Sequence, residues 1–306
     1  MCIRDSVITS SVEHPAVLNT CQYLSERHGL EITRLPVDRY GRISLEDLQK
    51  AVKETTILVS IMHANNEIGT IQPIAEVGRV LRKINEKRKE KIYFHTDAVQ
   101  SVGKLQIDVR KLNLDFLSFS AHKFYGPKGV GGFYAREGSV FDPLLHGGHH
   151  ENNMRASTEN FIGAFGMAKA MESAYDGLED EIAKLEKLRA MLEGGIFGKI
   201  HGVRLNGHPA ERLPGTTNVS FEHVEGESIV VALDLKHVAV STGSACTSGA
   251  SEPSHVIKAI DCPPELARSA IRFSLGTFNT EDEVSYLLKI LPPIVKKLRR
   301  ISPVKK

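Results

Sequence analysis

The chain lacks most of the features that mark a secreted, membrane or nucleic-acid-binding protein. It has four cysteines, Cys2, Cys21, Cys246 and Cys262, and no two are spaced as a short-range pair. Without a disulfide framework the chain is expected in a reducing compartment, the cytoplasm, where each thiol is a question of reactivity. No apolar run reaches the roughly 18 residues of a membrane helix. The first residues do not read as a secretory leader. No charge of one sign dominates: 39 Lys+Arg against 37 Asp+Glu leave a net charge of +2, which gives no electrostatic case for nucleic acid. His63, His95, His149 and His150 lack zinc-ligand spacing, so no metal is expected. Internal repeats and low-complexity tracts are also missing. Lys296, Lys297, Arg299 and Arg300 form a basic cluster that reads as a solvated helix end.

What is present is enough for a core. With 306 residues and 41% hydrophobic content, one large domain or two smaller ones are expected. The first half alternates short apolar runs with amphipathic stretches. Helices are expected at 15–27, 44–52 with Ser44 as N-cap, and 73–87 with Pro73 at the start. Strands are expected at 31–36, 56–62, 91–97, 114–120 and 130–135. Such alternation predicts an α/β fold with a mostly parallel sheet. Residues 159–192 read as helical with a break at Gly177. Beyond them, strands are expected at 217–221, 238–240 and 270–274, and helices at 228–235 and 280–298. Thr280 and Glu283 form a capping-box pattern, and Pro292-Pro293 should kink or interrupt the last helix. The expected division is a large α/β domain over 1–183 and a smaller α+β domain over 184–306. Met1 to Ser6 fit poorly with Val7-Ile8-Thr9, which reads as the end of a strand, so the chain is expected to lack its N-terminal part.

The most informative string runs from Ser118 through Ser120-Ala121-His122-Lys123 to Gly129. Lys123 follows an apolar run and precedes a Gly-Pro break. Phe94-His95-Thr96-Asp97 is a second strand-like run ending in a carboxylate. A lysine and a carboxylate, both buried at strand ends, are the parts that hold pyridoxal phosphate, through a Schiff base and a pyridinium contact. Ligands of parallel sheets bind beyond the carboxyl ends of the strands, where both residues fall. Further candidates are His14 before a helix, Asn66 in a turn after a strand, Gln100, Thr158 after the Gly-rich 146–150 segment, and Arg272 in an apolar run. Cys246 lies in Ser244-Ala245-Cys246-Thr247-Ser248-Gly249, a stretch of small residues.

Taken together, Ser-x-His-Lys, Gly-Ser-Ala-Cys and the order of the other strings resemble cysteine desulfurases of the nitrogen-fixation and iron–sulfur-cluster type. These belong to class V of the fold-type-I pyridoxal phosphate enzymes, and the resemblance runs from Val7 to about Leu291. It implies that Lys123 forms the Schiff base and Asp97 holds the pyridinium proton. Gln100 and Asn66 would bond the ring hydroxyl side, and His14 would stack on the ring. Ser120 and His122 would contact the phosphate, with Thr158 reaching it from the partner subunit of a homodimer. Arg272 would grip the carboxylate of L-cysteine. Cys246 would take the sulfur as a persulfide, alanine would leave, and an iron–sulfur scaffold or another sulfur-acceptor protein would receive the sulfur. The small residues around Cys246 suit a segment that reaches both ways.

Departures from the family pattern are expected to matter. The N-terminal Gly-Ala-Thr-Glu-type phosphate turn and an asparagine near the substrate carboxylate are absent from this sequence. Ser157 stands where the family commonly has glycine, and Asn152-Asn153 where it commonly has Arg-Gly. Alternative readings are a selenocysteine lyase or related class V lyase, and a truncated, inactive fragment that dimerises or binds scaffold proteins.

Overall fold

The computed structural model describes residues 5–243 and 253–302. It opens with strand β1 (Ser6–Ser10), in which every residue is buried. Burial on both faces is the mark of a central parallel strand. Helix α1 (Pro15–His28) follows, with His14 as N-cap, Pro15 in the first turn and Gly29 in the left-handed conformation at its end. Then come β2 (Glu31–Leu35), α2 (Leu45–Ala51), β3 (Thr56–Ser60), α3 (Ile74–Asn85), β4 (Tyr93–Asp97), β5 (Phe116–Ser120) and β6 (Gly131–Ala135). Ser44 caps α2 by accepting from the Asp47 amide, as expected. These strands form one sheet in the order β2-β1-β3-β4-β5-β6.

Pairings among β1 to β5 are parallel, whereas β6 runs antiparallel to β5. The β5–β6 connection holds only a one-turn 3₁₀ helix at Ala121–Phe124. That is too short for the crossover a parallel partner would need. The chain leaves β1 toward β2 and then returns to the other side of β1 for β3, so the sheet has a switch point beside β1. Such a point opens a crevice at the carboxyl ends of the strands. His14, Asn66, Asp97 and Lys123 all follow or end those strands.

The helical region breaks at Gly177 into α4 (Phe161–Asp176) and α5 (Leu178–Lys199). Lys184, the expected domain boundary, lies inside α5. A second, antiparallel sheet follows: β7 (Val203–Asn206), β8 (Thr216–Phe221), β9 (Ser241–Thr242) and β10 (Ile271–Ser274), in the order β7-β8-β10-β9. Its helices are α6 (Gly226–Asp234), the short α7 (His255–Ala259) and α8 (Pro264–Ala267), and α9 (Glu281–Ile301). Each sheet has its own apolar core, one including Ile8, Val59, Phe94 and Leu117, the other Leu192, Val219, Phe221 and Leu291. A third cluster joins Val12, Met62 and Ile68 to Val256, Ile257 and Ile260.

Two expectations fail here. Residues 238–240 form no strand: β9 is Ser241–Thr242, because β10 offers it only Ile271 and Arg272 as partners. The Pro292-Pro293 pair does not interrupt α9. A helix-interior proline costs about 3 kcal/mol. Against this, α9 buries Val284, Leu287, Leu288, Leu291 and Val295, each worth about 1.5–3 kcal/mol, and starts with the complete Thr280–Glu283 capping box.

Candidate active site

The crevice is built from the turns that end four strands. After β1, the His14 Nδ1 accepts from the Ala16 amide and so fixes the imidazole at the start of α1. After β3, Asn65 turns the chain by accepting from the Glu67 and Ile68 amides, which places Asn66 facing the opening. Asp97 ends β4 and accepts from the Val99 amide. After β5, the Ser120 hydroxyl lies 2.9 Å from the His122 Nδ1.

Asn66, Gln100, Lys123 and Arg272 line one cleft between the two sheets. Arg272 comes from β10, and its Nη1 donates to the Asn66 carbonyl at 2.8 Å. Its Nε is buried and has no partner among the described residues. Asp97 is half-buried beneath this region. Burial pushes its carboxyl up, and the Val99 amide and the nearby His14 pull it back toward the charged form. Ser120, His122 and Thr158 do not line the cleft. Thr158 is exposed on the segment before α4, as is His122 beside Lys123.

One expectation about Lys123 needs correction. It was expected to be buried at a strand end, but it is exposed. It sits on the 3₁₀ turn after β5, where the side chain opens onto the cleft rather than into the sheet. Cys246 lies outside the described residues. The described chain before it ends at Gly243, which lies against the buried Glu67, so that a Cβ there would stand 2.2 Å from Glu67 Oε2.

Ser157 and Asn153, which stand where the family commonly has glycine, and Asn152, which stands where it commonly has arginine, all have positive φ. Ser157 has φ 102°, and Asn152 and Asn153 have φ 55° and 68°. Glycine enters this region freely, and asparagine tolerates it better than most residues, whereas serine is strained.

Several functional candidates escaped the sequence reading. Glu13 is completely buried, accepts from the Ser10 hydroxyl at 2.6 Å and the Met62 amide at 2.8 Å, and is pushed up to about 8 by burial. Glu67 is pushed up to about 7 by burial, against the Ser254 hydroxyl and the Arg272 charge. Lys104 lines the cleft, and Tyr125 accepts from the Thr277 amide at 2.9 Å, tying the β5 turn to the second sheet. Their neighbours in sequence, His14, Asn66, Gln100 and Lys123, were the available signals.

A cleft at the strand ends of a mostly parallel sheet, lined by a lysine and an arginine and with a half-buried aspartate at the end of β4, has the arrangement of a fold-type-I pyridoxal phosphate enzyme. The aminotransferase class-V family matches residues 3–287. A cysteine desulfurase IscS of Dictyoglomus turgidum is 52% identical, over 98% of this chain and 74% of its own length. The cysteine desulfurase NifS of Azotobacter vinelandii is 44% identical, over 98% of this chain and 73% of its own. A solved NifS-like protein superposes with a TM-score of 0.88 at 41% identity, covering 96% of this chain and 76% of that one. The chain belongs to the class-V aminotransferase family, among its cysteine desulfurases.

Proposed function

We propose that this cleft converts L-cysteine to L-alanine and passes the sulfur to Cys246 as a persulfide. The supporting observation is the meeting of Lys123 and Arg272, from two different sheets, in one cleft with Asn66 and Gln100. The donor set fits pyridoxal phosphate. Asp97 would offer a half-buried carboxylate to a ring nitrogen, and Ser120 with His122 would offer donors to a phosphate. Arg272 holds a buried N–H with no partner among the described residues, which suits a carboxylate. When bound, the cofactor acts as an electron sink that weakens bonds at the substrate carbon.

The residues of this chain do the rest. Lys123 anchors the cofactor and moves protons at the substrate α-carbon. His14 covers the ring face and favours the charged form of Asp97. Arg272 orients the substrate by its carboxylate. The Cys246 sulfur then bonds to the substrate sulfur as the substrate C–S bond breaks, and the carbon fragment takes up the protons as alanine. Atoms balance: cysteine and one thiol give alanine and one persulfide.

We assign the cofactor to the 1–183 half, and Arg272 and the sulfur-accepting Cys246 to the 184–306 half. Exposed apolar side chains near Thr158, namely Phe161, Ile162 and Phe165 at 75%, 83% and 67% exposure, support a second copy of the chain covering this face. An iron–sulfur scaffold or other acceptor protein would take the sulfur. The free thiols of Cys21 and Cys262 suit a reducing cytoplasm.

The test is alanine release from L-cysteine by the cofactor-loaded chain, with Cys246→Ala as control. Release that requires Cys246 supports the proposal. A chain that loads cofactor but yields equal alanine without Cys246 contradicts the sulfur-acceptor role. A chain that takes up no cofactor contradicts the whole reading.

A further inference from the structure

Lys104 lines the cleft with Asn66, Gln100, Lys123 and Arg272, and the roles above leave it unused. It lies four residues beyond Gln100, and its Nζ donates to Gln100 Oε1 at 3.3 Å. That neutral amide is its only hydrogen-bond acceptor among the described residues, and no ion pair reaches it there. Glu181 also borders the cleft but does not pair with it. A largely buried ammonium without a carboxylate is costly. Here the cost is increased by two more cations, since Lys104 feels the charges of both Lys123 and Arg272. Three cationic side chains around one opening are mutually repulsive until an anion lies among them, and a charge-assisted contact then repays the desolvation.

We propose that Lys104 is a substrate-binding residue that joins Arg272 in holding the α-carboxylate of the amino-acid substrate. The inference rests on the reading of Arg272 given above. Burial, and then the charges of Lys123 and Arg272, hold the Lys104 ammonium down to about 8. It therefore stays mostly charged at neutral pH and gains from a nearby carboxylate. Without an anion it rests on Gln100; with one it shares its remaining donors.

The experiment measures the dissociation constant of L-alanine, a carboxylate ligand with no sulfur to transfer, by calorimetry on the cofactor-loaded protein. Ethylamine, which lacks the carboxylate, is the reference ligand, and KM for L-cysteine is measured alongside. Lys104→Met should weaken L-alanine and raise KM together by about tenfold, as expected for a lost charge-assisted contact. Lys104→Arg should restore both to within about threefold. Cofactor content and thermal midpoint show whether each variant is intact, and Lys104→Gln makes the same comparison if Lys104→Met does not load cofactor. Unchanged L-alanine affinity in an intact Lys104→Met overturns the inference, as does failure of Lys104→Arg to restore it. If the wild-type chain binds L-alanine no better than ethylamine, the reading of Arg272 falls first and this one with it.

Discussion

Arg272 on β10 and Asn66 in the turn after β3 meet across the cleft, where the guanidinium Nη1 donates to the Asn66 carbonyl at 2.8 Å. The bond fixes one arm of the guanidinium and leaves the rest to face the cleft. A lysine could reach the carbonyl or the substrate carboxylate, but not both in one plane. Arg272→Lys should therefore raise KM for L-cysteine by about tenfold or more. Steady-state kinetics check this; an unchanged KM would remove Arg272 from substrate binding.

Burial pushes the Asp97 carboxyl up, and the Val99 amide and His14 only partly offset it in favour of the charged form. Asparagine keeps the shape and loses the charge. Asp97→Asn should lower kcat by about a hundredfold at saturating cofactor, the scale of a lost electrostatic contact at a reacting centre. Measuring kcat together with cofactor content separates this from simple loss of binding.

Stability should fall on the alkaline side. Burial holds Glu13 up to about 8 and Glu67 up to about 7, and holds His63 and His95 each down to about 4. In the unfolded chain these groups titrate near ~4.3 and ~6.5. Between those values the two pairs oppose each other. Above ~6.5 the histidines are neutral in both states, and the folded chain still binds glutamate protons that the unfolded chain has lost. Stability then falls as pH rises, by up to about 1.4 kcal/mol per pH unit for each glutamate, Glu67 contributing up to about 7 and Glu13 up to about 8. Urea unfolding at pH 6 and pH 8 measures the drop, and Glu13→Gln should reduce it. Equal drops in both proteins would exclude Glu13.

Ser157 occupies φ 102°, where a side chain is strained. Ser157→Gly should raise the unfolding free energy by up to about 1 kcal/mol, since relief of strain exceeds the entropy glycine adds to the unfolded chain. A lower thermal midpoint for this variant would show that Ser157 makes a compensating contact.

The large sheet was legible because short apolar runs such as those of β3 and β5 alternate with helical stretches, and the strand ends lead to His14, Asn66, Asp97 and Lys123. The short elements β7, α7 and α8, of four or five residues, carry too little periodicity to read. Pro292-Pro293 misled because a local rule was outweighed by the apolar face of α9. Lys123 was read as buried because the run before it is; the 3₁₀ turn redirects it outward. Glu13, Glu67 and Lys104 gain their character from residues distant in sequence, such as Met62, Ser254 and Arg272. No spacing rule reports such burial.

Three lysines, Lys104, Lys123 and Lys128, lie near this cleft in sequence, and only one is assigned to hold the cofactor. Borohydride reduction of the cofactor-loaded chain, followed by digestion and peptide mass mapping, locates the trapped pyridoxyl group. It is expected on Lys123 and to vanish in Lys123→Ala. A pyridoxyl group on Lys104 or Lys128 of the wild-type chain, or none at all in a chain that retains its cofactor, would contradict the site.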